Sequence, residues 1–270
     1  MLNQHDGLES RTRFPPARQI AYGDHPDQVG NLHLPVGEGT WPTVVLIHGG
    51  FWKWGWDRTL MTLLAHDLAR RGYAVWNIEY RRVGQEGGGW PGTLEDAAAA
   101  IDYIAGIDVV DPNRIVTVGH SAGGQLAVWL AARHRLPVGA PGSGPRVRPH
   151  AAVSLAGVLD LVRGAVEELG SGACAGLLGG GPDDVPERYA TASPSALLPL
   201  GIPVLLVHGG RDDIVPSSQS HEYAAAACAA GDTVELVDLP CADHFDVVEA
   251  DDPAWLAVVE RLPALVGNGA

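Results

Sequence analysis

The chain has 270 residues, 46% of them hydrophobic and 19% charged, with a formal net charge of −14. That length suits one large α/β domain, and the longest apolar runs stop far short of the roughly 20 residues a membrane-spanning helix needs. The acidic balance disfavours nucleic acid and anionic lipid surfaces as partners and favours a small-molecule substrate, because like charges raise the barrier to encounter.

The N-terminus, MLNQHDGLESRTRFPPARQ, has no apolar core behind its positive charges, so the reading is a cytoplasmic protein without a cleaved signal. Residues 1–40 are rich in Pro, Gly and polar groups and predict an arm or antiparallel edge ribbon. TVVLIH (43–48) is the first strongly apolar strand, followed by leucines 60, 63, 64 and 68 at helical spacing and a stop at Gly72. AVWNIEY (74–80) is the next strand; Thr93 with Asp96 gives a capping pattern for a helix that ends at Gly106. IVTVG (115–119) precedes a helix over 123–133, and AAVSLAG (151–157) is a further strand. Residues 158–200 are too long for a simple crossover and read as a helical cap or lid. PVLLVHG (203–209), a helix over 218–230, TVELVDLP (233–240) and a helix after Pro253 complete the alternation. Strands apolar on both faces, alternating with helices, predict an α/β fold in a single domain: a mainly parallel central sheet with helices on both faces and a small helical cap.

Within that frame, IVTVGHSAGGQL carries Gly119-His120-Ser121-Ala122-Gly123, a G-x-S-x-G pattern at the turn from strand to helix. Small flanking residues let such a turn tighten and lift the serine hydroxyl above the sheet edge, so Ser121 is the candidate nucleophile; the bland alternative is a glycine-rich turn with an incidental serine. His48-Gly49-Gly50-Phe51-Trp52 follows the first apolar strand, where paired glycines free backbone amides to face an oxyanion. The N–H groups of Gly50 and Phe51, with that of Ala122, are the candidate oxyanion donors, and His48 is read as orienting the loop. A serine needs a base, and the base needs an acid to fix its tautomer. Asp212 and Asp213 lie just past one strand end and His244 in the loop after the next, in the chain order Ser, Asp, His; Asp213 and Asp243 rival Asp212 for the acid. His120, His208 and His221 are weaker candidates for the base. A metal site of His208, Asp212 and His244 lacks a tight ligand spacing, so no metal is expected. The cysteines Cys174, Cys228 and Cys241 are odd in number and form no C-x-x-C pair, which reads as reduced structural thiols. Glu79 is read as pairing with Arg81 or Arg82, or as bordering the pocket.

These elements together resemble the α/β-hydrolase superfamily, in the esterase and lipase branch that carries H-G-G-[FYW]-W with G-H-S-A-G-G. The resemblance spans about residues 40–265 and looks most like kynurenine formamidase (arylformamidase) and related carboxylesterases. It implies Ser121 as nucleophile, His244 as base, Asp212 as orienting acid, and Gly50, Phe51 and Ala122 as the oxyanion hole, with no cofactor. HGGRDDIVP also has the look of prolyl-oligopeptidase-type hydrolases, although the chain is too short for their additional propeller domain. Trp52, Phe245 and His120 are candidate substrate-binding residues, with Trp54 and Trp56 as further rings near the site, so a flat apolar or aromatic group suits the pocket. The function implied is hydrolysis of a carboxylic ester or aryl formamide through an acyl-enzyme. The rivals are a hydrolase-fold binding protein without turnover and an acyltransferase or peptidase. A homodimer is compatible with the sequence.

Overall fold

The structure is a computed structural model and describes residues 16–267. Eight strands form one sheet in the order β1-β2-β4-β3-β5-β6-β7-β8. They are β1 (Arg18–Ala21), β2 (Val29–His33), β3 (Trp41–Ile47), β4 (Ala74–Ile78), β5 (Val110–His120), β6 (Ala151–Leu155), β7 (Val204–Gly209) and β8 (Val234–Leu239). β1 and β2 are antiparallel, and every pair from β4 through β8 is parallel. The 1–40 arm falls partly outside the described residues; within them, β1 and β2 make the antiparallel edge. β5 is longer than its apolar run, because Val110 pairs with Trp41 across a register shift before the main ladder begins at Ile115.

Helices α1 (Thr62–Arg70), α2 (Gly92–Ile104), α3 (Ala122–Ala132), α4 (Leu161–Val166), α5 (Leu169–Leu178), α6 (Pro186–Ala192), α7 (Ser218–Ala229) and α8 (Pro253–Leu265) surround the sheet. On one face Leu64 and Leu68 of α1 and Val258 and Leu262 of α8 pack against Val44, Val116 and Val153. On the other, Leu94 and Ile101 of α2 join Leu126 and Trp129 of α3 and Tyr223 of α7. Each aliphatic side chain so buried contributes about 1.5–3 kcal/mol.

One local expectation is corrected. The Thr93/Asp96 capping box does not form: Pro91 holds the N-cap position, the Thr93 hydroxyl donates to the Arg81 carbonyl, and Asp96 receives the Arg81 guanidinium. Ion pairing across the turn outcompetes the local backbone for that carboxylate. The 158–200 segment, read as a helical cap or lid, forms α4, α5 and α6 and packs alongside α3. Every residue of α3 is buried, so the helix needs cover on its outer side. The segment supplies it, with the Trp129 indole donating to the Thr191 carbonyl (2.8 Å) and the Gln125 amide to that of Ala192 (2.9 Å).

Candidate active site

β5 becomes α3 at a single residue, Ser121, with φ 55° and ψ −119°. A non-glycine residue there stores on the order of 1–3 kcal/mol of strain. The surroundings compel it: Ser121 N–H donates to the Leu155 carbonyl (2.8 Å), while its own carbonyl accepts from Gly124 N–H (2.8 Å). A Cβ on Gly119 would run into the Gly123 carbonyl, and one on Gly123 into that of Ile47, so the tight elbow requires both glycines.

The turn after β7 carries Asp212, whose side chain is fully buried. Its Oδ1 accepts from the N–H groups of Ile214 (2.9 Å) and Val215 (2.8 Å), and its Oδ2 lies 2.6 Å from Nδ1 of His244. His208 Nε2 approaches the same oxygen at 3.4 Å, shares its proton with the Val215 carbonyl (2.9 Å), and leaves Nδ1 to accept from the Ser220 hydroxyl (2.7 Å). Burial alone would raise the Asp212 pKa, but the hydrogen bonds from His208 and His244 outweigh it and hold the carboxyl well below the usual range. With Nδ1–H donated to Asp212, His244 keeps Nε2 free to accept a proton. The rival acids lie elsewhere. Asp213 is exposed, and Asp243 caps its own turn by accepting from the N–H groups of Phe245 and Asp246.

His120 links the two halves: its Nε2–H donates to the His244 carbonyl at 2.9 Å, and the two rings lie 4.6 Å apart. Burial, with His244 close by, pulls its pKa down to about 3, so it stays a neutral donor.

The loop after β3 is held in unusual backbone conformations, with φ of 110° at Gly50, 51° at Phe51 and 54° at Trp52. Among the described residues, the N–H groups of Gly50, Phe51 and Ala122 donate to no protein acceptor, which leaves them available to a ligand. The Lys53 N–H closes a turn onto the Gly50 carbonyl (3.0 Å), the Trp54 N–H donates to the Val83 carbonyl (2.9 Å), and the Val83 N–H donates to the Trp52 carbonyl (2.8 Å). Both nitrogens of His48 face acceptors, the Gly49 carbonyl at 2.7 Å and Glu79 Oε1 at 2.8 Å. Glu79 also meets Arg82 (3.4 Å) and Arg58 (3.5 Å), so the pairing with Arg82 is present, while Arg81 turns to Asp96.

Ser121, His120 and His244 line one cavity with Gly50 and Phe51. Its remaining walls are Trp56, Leu60, Ile214 and Phe245, and the Trp56 and Phe245 rings stack at 5.9 Å. Three residues expected at the substrate site thus divide. Phe245 and His120 line the cavity, but Trp52 does not: its side chain is fully buried and its indole donates to Gln125 Oε1 at 3.0 Å. The positive φ at Trp52 turns it under the loop, into the core. Trp54 is 70% exposed and lies outside the lining. Leu60 and Ile214 were not singled out from sequence; a leucine at helical spacing and an isoleucine beside an acid carry no signal of a pocket wall. Nothing from 158–200 lines the cavity, although Gly170 packs closely against the Phe51 ring and its carbonyl accepts from Lys53 Nζ (2.6 Å).

Residues 31–226 match the family described as BD-FAE. An uncharacterized protein of Mycobacterium tuberculosis is 30% identical over 239 residues, 87% of this chain and 74% of its own length. Isoprenylcysteine alpha-carbonyl methylesterase of Arabidopsis thaliana is 36% identical over 120 residues, 41% of this chain and 26% of its own. Esterase LipC of Mycobacterium tuberculosis is 27% identical over 267 residues, 90% and 63%. Among solved structures, a truncated carbohydrate esterase from gut microbiota superposes with a TM-score of 0.81 at 19% identity, covering 94% of this chain and 97% of that one. The butyrate-bound Est2 esterase of Thermogutta terrifontis gives 0.73 at 24% identity, covering 91% of each chain. The architecture is the α/β-hydrolase fold.

Proposed function

The chain belongs to the BD-FAE family, and from that premise we propose that it is a serine hydrolase that cleaves carboxylic esters through an acyl-enzyme. The observation that carries the reading is the Asp212–His244 hydrogen bond of 2.6 Å beside a strained Ser121 in one cavity. Esterases among the relatives and structural neighbours support it.

In this mechanism His244 Nε2 takes the Ser121 proton as Oγ attacks the acyl carbon. The tetrahedral oxyanion is met by the N–H groups of Gly50, Phe51 and Ala122, each such donor contributing on the order of 10²–10³ in turnover. His244 then protonates the leaving oxygen and activates the water that releases the acid. Asp212 stays charged and holds the imidazole in the required tautomer. The walls contributed by Trp56, Leu60, Ile214 and Phe245 carry no charge, so the group they receive is apolar, and the stacked rings suit a flat one. The same walls suit an aryl formamide, the alternative substrate. Hydrolysis of p-nitrophenyl acetate and N-formylkynurenine, each compared with Ser121→Ala as blank, tests the reading. Ester turnover above the blank is the expected result; formamide preference would assign an arylformamidase, and neither activity would favour a binding protein.

A further inference from the structure

We propose that Glu79, acting through His48, is a positioning residue for oxyanion stabilisation: the pair fixes and polarises the Gly49–Gly50 peptide so that the Gly50 N–H faces the developing charge. The proposal rests on the acyl-transfer reading above.

The connection is made atom by atom. Glu79 Oε1 lies 2.8 Å from His48 Nε2, and His48 Nδ1 lies 2.7 Å from the Gly49 carbonyl oxygen. That oxygen and the Gly50 N–H belong to the same peptide unit. A donor bonded to the oxygen of an amide draws electron density from its nitrogen and makes the N–H a better donor, strengthening each hydrogen bond in such a chain by about 10–30%. The peptide also sits directly against the nucleophile, since a Cβ on Gly49 would come within 2.9 Å of Ser121 Cβ and 2.8 Å of His120 Nδ1. A tilt of this unit therefore changes the distance from donor to reacting carbon.

Neither member of the pair is free to move. The His48 ring stacks on Tyr80 at 4.4 Å and 8°, and the Tyr80 hydroxyl donates to the His48 carbonyl at 2.9 Å. Glu79 accepts from the N–H groups of Tyr80 (3.1 Å) and Arg58 (3.0 Å), besides facing the Arg58 and Arg82 guanidiniums. Burial would raise the Glu79 pKa, but the hydrogen bond and charge of His48, with the arginines, bring it below the ordinary value, so it is a carboxylate. Buried ion pairs of this kind contribute little net stability compared with apolar packing of equal volume. A charge placed behind the oxyanion loop is accounted for by what it does to the loop.

The test compares wild type with Glu79→Gln, and with His48→Phe as the variant that keeps the ring stacked on Tyr80 if the first does not fold. Each is assayed for kcat and KM on an aryl acetate, for inhibition by an aryl trifluoromethyl ketone, whose serine adduct places an oxyanion in the hole, and for inhibition by the matching carbinol, which forms no adduct. The expected result is a fall in kcat of about 10- to 100-fold, below the loss on deleting a whole donor. Ketone affinity should fall by a similar factor, with KM and carbinol affinity changed less than threefold. Folded variants that keep wild-type kcat and ketone affinity, or that lose ketone and carbinol affinity equally, overturn the proposal. Wild-type protein that neither hydrolyses esters nor reacts with a fluorophosphonate overturns the acyl-transfer reading and the proposal with it; reactive wild type with unimpaired variants overturns the proposal alone.

Discussion

Two buried carboxylate–histidine pairs flank Ser121, and they are built alike but end differently. Asp212 meets His244 at 2.6 Å and Glu79 meets His48 at 2.8 Å, each carboxylate further held by backbone N–H groups and a second cationic or N–H donor side chain. In the first pair the far ring nitrogen belongs to a cavity-lining residue; in the second it faces a backbone carbonyl. On the proposed mechanism the same dyad exchanges a proton in one place and fixes a peptide in the other. What lies beyond the imidazole, rather than the pair itself, decides the role.

Substitutions in and around the two pairs separate their roles. Ser121→Ala should reduce ester turnover by as much as 10⁶-fold, and His244→Ala by nearly as much, since such residues act as one unit. Asp212→Asn should cost about 10⁴-fold by allowing the wrong tautomer of His244, whereas exposed Asp213→Asn should stay within a few-fold. Reversal of that order, read from kcat/KM on p-nitrophenyl acetate, would reassign the acid. Trp56→Ala, which removes half of the stacked wall, should raise KM for an aryl ester up to about tenfold and leave a small methyl ester within a few-fold. The smallest effect concerns pH. Both carboxyls have folded-state pKa values below their ordinary values of 3.8 and 4.5, so each stabilises the fold above its ordinary value and the contribution is lost as pH falls from there through the lower folded-state value. Thermal unfolding below about pH 5 should therefore depend less steeply on pH in Asp212→Asn and in Glu79→Gln than in wild type.

The first pair was far more legible in the sequence than the second. Ser121 announces itself because its constraint is local: the glycines at 119 and 123 exist to avoid carbonyls that the elbow brings close. Asp212 and His244 follow strand ends, and the parallel ladder of β7 and β8 sets those ends side by side. His48 and Glu79 also follow strand ends, since Ile47 pairs with Ile78 across β3 and β4. No sequence spacing distinguishes such a pair from an ordinary buried ion pair, and Arg82 offered a simpler partner. Trp52 misled for a related reason. Its neighbours Phe51 and Trp56 line the cavity, but a left-handed residue in a loop has no period from which its direction could be read. The 158–200 segment is read as a cap from its length, and the surface it covers is that of α3, every residue of which is buried.

Every step of the proposed reaction depends on Ser121 being a nucleophile activated by His244. Reaction of the folded protein with a fluorophosphonate, read by intact mass and peptide mapping, tests it most directly. One adduct per chain, located on Ser121 and strongly slowed in Asp212→Asn, is the expected result. Absence of an adduct, or an adduct on another residue with Ser121 untouched, would contradict it.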